Sequence, residues 1–193
     1  GVDFLDEDGL LAALNQYKVV VIPEAGNFTN VAVQALLQYV KAGGRLLVSG
    51  VENIRRFPPE FFGIQSMEEE TVSPFAGKRW GFAVRKDSTP LYFLPEGDAV
   101  FPLASKSWGL IKEVPESVRF RELYRSYVYD ESATGYPAGL MRSVGKGKTA
   151  VIPADFFTGI AQQHYLPEAR CFLGGLMKAL YPDREIEVEA PSF

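Results

Sequence analysis

The chain has 193 residues, 47% of them hydrophobic and 23% charged, which are values of an ordinary folded domain and exclude a largely disordered chain. A net charge of −4 argues against a general nucleic-acid binder, which carries a basic face. No apolar run reaches the roughly 20 residues that span a bilayer, and Cys171, the sole cysteine, excludes an internal disulfide.

In chain order, Asp6 is placed to cap a short helix with Leu10, Leu11 and Leu14 on its buried side. Val19-Val20-Val21-Ile22 is a β-branched run too short for a helix, and the turn formers Pro23, Gly26 and Asn27 follow it. Such a run suits a strand covered on both faces. Thr29 or Asn30 caps the next helix, whose apolar stripe is Val33, Leu36, Leu37 and Val40, and Gly43-Gly44 ends it. Leu46-Leu47-Val48 is the second strand, and a strand–helix–strand unit of this length predicts a right-handed parallel crossover. Residues 51–63 read as an irregular connector, because Pro58-Pro59 excludes a helix interior. From about residue 65 to residue 142, short β-type runs alternate with Pro, Gly, Asp and Ser, as in a β-rich insertion. Gly145-Lys146-Gly147-Lys148 predicts a tight turn between antiparallel strands, and Thr149 to Pro153 a further core strand. Pro167 opens a last helix with Ala169, Phe172, Leu173, Leu176, Met177 and Leu180 at helical spacing, and Pro182 follows its end. Ile186 to Pro191 alternates as the first strand of a following segment would.

The expected fold is α/β: a three-layer, flavodoxin-like parallel sheet with a β-rich insertion. It is expected to be N-terminally truncated, since such a sheet has a strand and a helix ahead of this point. Residues 1–185 form the expected single domain, and 186–193 begin the next segment.

The chemistry is sparse. Gly147-Lys148-Thr149 resembles the end of a phosphate loop, but Arg142 stands where that motif needs glycine, and a strand follows in place of a helix. Asn27-Phe28-Thr29 fits a glycosylation acceptor and equally a turn with a helix cap, which is preferred. A serine elbow around Ser49 needs glycine where Leu47 and Val51 stand. His164 is the sole histidine, and Cys171 lies mid-helix, where nothing lowers a thiol pKa. One Cys and one His build no four-ligand zinc site without carboxylates. Trp80, Trp108, Tyr92 and Tyr136 are candidates for stacking on sugars, although most aromatic residues pack in cores. The most suggestive group is acidic. Glu24, Glu52 and Asp155 each follow a predicted core strand, with Asn27 and Asn53 nearby, so parallel strands would gather them at the carboxyl edge, where open α/β sheets bind ligands. Such a crevice suits sugar hydroxyls or a hard cation, and polar loops at strand ends explain it equally.

Tyr17 to Pro23, the helix end Tyr39-Val40-Lys41-Ala42-Gly43-Gly44 and Arg45 to Gly50 resemble the class I glutamine-amidotransferase-like domain. The variety they resemble is the non-catalytic one inside multidomain glycoside hydrolases, similar to the trimerisation domain of family 42 β-galactosidases. Gly145 to Pro153 looks like that family's closing hairpin and last core strand. The resemblance spans residues 5–181 and is weak between 55 and 140. True amidotransferases place a cysteine after the second strand and a His and a Glu after a late one. Here Ser49-Gly50-Val51 and Pro153-Ala154-Asp155 occupy those places. The resemblance therefore implies an accessory domain with no catalytic residues, metal or cofactor of its own, in a periplasmic or secreted bacterial glycoside hydrolase. Its implied partners are other domains of the same polypeptide, a second copy of the chain, and carbohydrate, with neither nucleic acid nor membrane. The alternative is a stand-alone hydrolase or a sugar-binding module using the acidic crevice formed by Glu24, Asn27, Glu52, Asn53 and Asp155.

Overall fold

The computed structural model describes residues 2–24, 26, 28–71, 83–85, 100–102, 105, 107–124, 133–162 and 167–182. Asp6 caps α1 (Glu7–Ala13), accepting from Gly9 N at 2.8 Å, and a single 3-10 turn, Leu14–Gln16, leads to β1 (Val19–Ile22). The next helix, α2 (Asn30–Ala42), starts at Thr29, whose side chain accepts from Ala32 N. β2 (Arg45–Ser49) follows and pairs parallel with β1, as expected of a parallel crossover.

Residues 51–63 are not irregular as expected. They form α3 (Val51–Arg55) and α4 (Pro59–Phe62), ended by Gly63 in the left-handed conformation. Pro59 sits in the first turn of α4, where a missing N–H costs nothing, so the proline pair starts a helix here.

The remaining strands are β3 (Ile64–Thr71), β4 (Ala83–Arg85), β5 (Val100–Pro102), β6 (Ser107–Glu113), β7 (Val118–Tyr124), β8 (Ala133–Val144) and β9 (Gly147–Ile152). Two helices follow, α5 (Phe156–Gln162) and α6 (Pro167–Leu180). α5 has no counterpart among the elements expected from the sequence.

The main sheet has the order β1-β2-β9-β8-β7-β4-β5. Its flavodoxin-like parallel core is β1-β2-β9, and four antiparallel strands of the insertion extend it. β3 and β6 pair with each other as a separate two-stranded sheet. Alternation along the core strands supplies three layers. Val20, Ile22, Leu46, Val48 and Val151 face α2 and the Phe57, Phe61 and Phe62 group, whereas Leu47, Ala150 and Ile152 face Phe156 and α6. The α2 stripe Val33, Leu36, Leu37 and Val40 is buried as its spacing predicts.

One end of the core is held by very close approach. A Cβ on Gly44 would overlap the Tyr39 ring, whose hydroxyl donates to Tyr17 O (3.0 Å) and accepts from Arg45 N (3.3 Å). A Cβ on Gly147 would run into the carbonyl oxygens of Gly44 and Val40. Backbone bonds clamp the same contact, from Lys146 N to Lys41 O (3.1 Å) and from Lys148 N to Gly44 O (3.2 Å).

Two predictions come from this packing. Gly147→Ala must displace backbone and lowers stability by about 3 kcal/mol, whereas Gly174→Ala, in α6 with open space around the added methyl, raises it by about 1 kcal/mol. Urea unfolding of the two variants should move the midpoint in opposite directions. Burial pushes the Tyr39 phenol above its ordinary value of 10.0. The folded chain then holds that proton more tightly than the unfolded one, a contribution fully present below about pH 10 and lost as pH rises through the raised value. Stability measured between about pH 9 and pH 11 should fall, and Tyr39→Phe should make the fall shallower.

Candidate functional site at the carboxyl edge of the sheet

The carboxyl ends of β1, β2 and β9 lie side by side, since Ile22 pairs with Val48 and Ser49 with Ile152. The turn from β2 to α3 is sharp, and its tip is Gly50, with φ +89° and ψ 134°. A non-glycine residue is strained in that conformation. Space is closed as well. A Cβ on Gly50 would stand 2.7 Å from Glu24 Cβ and 3.9 Å from Asp155 Oδ1. The position where an elbow would display a nucleophile is thus a bare backbone flanked by two acidic residues.

Several polar groups around this turn hold loops. Ser49, wholly buried, donates from Oγ to Ala154 O at 2.8 Å. Asn53, also buried, donates from Nδ2 to Pro23 O (2.6 Å) and Ser49 O (3.1 Å), tying the ends of β1 and β2 to α3. Glu24 accepts on Oε1 from the backbone N–H of Thr158, the third residue of α5, an amide that a capping side chain ordinarily takes. Its Oε2 is buried and has no hydrogen-bond partner among the described residues. Asp155 precedes α5, accepts on its carbonyl from Gly159 N (2.9 Å) and donates its own N–H to Ser105 Oγ (3.0 Å).

The insertion closes the same edge. Gly109 N of β6 donates to Pro153 O at 2.6 Å, and Trp108 forms a bridge with Ala154. Trp108 is wholly buried, in one apolar cluster with Leu47, Ile152, Ala154 and Phe156. It is therefore a core residue and offers no face to a sugar, which corrects its candidacy for stacking. Tyr136 is half-buried against the same cluster. Trp80, Tyr92, His164 and residues 186–193 lie outside the described residues.

The structure thus brings Glu24, Asn53 and Asp155 to one turn, and Glu52 stands two positions after Gly50 in the first turn of α3. The Glu52 side chain is 81% exposed and paired with Arg55 at 2.6 Å, and Arg55 also reaches Glu69 at 2.8 Å. Those two carboxylates hold the Arg55 guanidinium above its usual range. Asn27 lies outside the described residues. Cys171 falls inside α6 and not at a bend. Among the described residues, no three or more His, Cys, Asp or Glu side chains are gathered to hold a metal ion. Likewise, no described helix is long and apolar enough to cross a membrane. Sequence reasoning missed the role of Gly50, although a glycine between a strand and a helix is its visible mark. It also missed β6 as a cover, for which the sequence carries no signal.

The sequence matches no family profile and no curated protein. Solved structures do match. Gan42B, a GH42 β-galactosidase from G. stearothermophilus, superposes with a TM-score of 0.60 at 17% identity, over 93% of this chain and 23% of that one. α-L-Fucosidase isoenzyme 2 from Paenibacillus thiaminolyticus gives 0.58 at 14%, over 88% and 26%. Cytoplasmic protein STM1381 from Salmonella typhimurium LT2 gives 0.55 at 16%, over 88% and 74%. This chain spans about a quarter of the two hydrolases, and at these identities the likeness shows the fold alone.

Two substitutions separate structural from exposed polar groups at this edge. Ser49→Ala removes one of the two donors to Ala154 O, which keeps Phe156 N at 2.8 Å, and costs about 1 kcal/mol. Glu52→Ala breaks only an exposed pair and changes stability by less than about 0.5 kcal/mol. Thermal unfolding of both variants beside the parent chain checks the contrast.

Proposed function

We propose that this chain is a non-catalytic accessory domain of a larger carbohydrate-active hydrolase, working through packing against other domains of the same polypeptide or through contacts between copies. The observation that carries the reading is the Gly50 turn. On the sequence resemblance to amidotransferase-like domains a nucleophile would stand here, yet Gly50 bears no side chain, and Glu24 Cβ lies 2.7 Å from where a Cβ would be. Glu24 Oε1 is committed to α5, and Asn53 and Ser49 hold the neighbouring turns, which supports a structural role for this edge over an acid and nucleophile pair facing a sugar. Support for the parent enzyme comes from fold similarity to stretches of longer glycoside hydrolases. A β/α-barrel encoded in the same polypeptide is the expected context.

The isolated chain should turn over neither glutamine nor a panel of aryl glycosides. Turnover that disappears in Glu24→Ala or Asp155→Ala would overturn the accessory reading. Gly50→Cys, which restores a thiol at the turn, should lower stability and still give no glutamine hydrolysis.

A sugar contact at the same edge, through Glu24, Asn27, Glu52, Asn53 and Asp155, is the second reading. The observation in its favour is Glu24 Oε2, buried with no hydrogen-bond partner among the described residues. Under this reading, calorimetric titration with oligosaccharides shows binding without turnover, and Glu24→Gln weakens it. Absence of binding by the parent chain rejects it.

A further inference from the structure

We draw no further inference here: the strongest candidate, the outer edge of β1 together with the exposed apolar residues Val2, Phe4 and Leu5 ahead of α1, carries nothing, because nothing in the structure shows what covers it.

Discussion

The close approach between the last turn of α2 and the turn joining β8 to β9 is the contact on which the rest of the molecule depends. Gly147 lies against the carbonyl oxygens of Gly44 and Val40, and Gly44 lies under the Tyr39 ring. No side chain fits at either place, so helix and hairpin meet backbone to backbone. That contact sets the start of β9 beside the start of β2, with Arg45 opposite Lys148, and the register then runs unbroken to Ser49 opposite Ile152. Because side chains alternate along a strand, this register also decides which residues face α2 and which face α6. A slip of one residue would turn Val151 toward α6 and Ile152 toward α2, breaking both cores together.

At the opposite end of the same strands, the register delivers Glu24, Gly50 and Asp155 to one place, where open α/β sheets ordinarily receive ligands. Here the polar groups serve the protein itself. Asn53 fastens two strand ends, Ser49 fastens the segment after β9, and Glu24 takes an amide of α5. β6 lies along Pro153 and Ala154 and brings Trp108 into the apolar cluster beneath. An edge whose Ser49, Asn53 and Glu24 Oε1 are used in this way is suited to rigidity, which supports the accessory reading.

The core was legible because local chemistry and global fold agree there. The β-branched run of β1, the helical stripe of α2, the paired glycines after it and the proline opening α6 each have one natural interpretation. Legibility ended where tertiary contacts decide. α4 is only four residues long, too short to show a period, and Pro59 reads as a breaker unless its place in the first turn is known. The strands of the insertion look alike whether they form a separate sheet or extend the main one, and both outcomes occur. Trp108 carries no mark that distinguishes a buried ring from an exposed one. For the acidic residues, strand ends predicted that Glu24, Glu52 and Asp155 would share an edge; Glu24 and Asp155 flank Gly50, and the Glu52 side chain turns to Arg55. The α5 amide that binds Glu24 is 134 positions away in sequence and could not be read from spacing.

The placement of β9 next to β2 also bears on how the chain reaches its native state. Ser49 and Ile152 are roughly a hundred residues apart, so closing that loop costs roughly 4 kcal/mol of chain entropy before any pairing repays it. β1, α2 and β2 are contiguous and can associate early, but β2 keeps an unsatisfied edge until the whole insertion has been threaded past it. High contact order of this kind favours slow folding. The apolar edge of β2 is then the surface most open to wrong partners during synthesis.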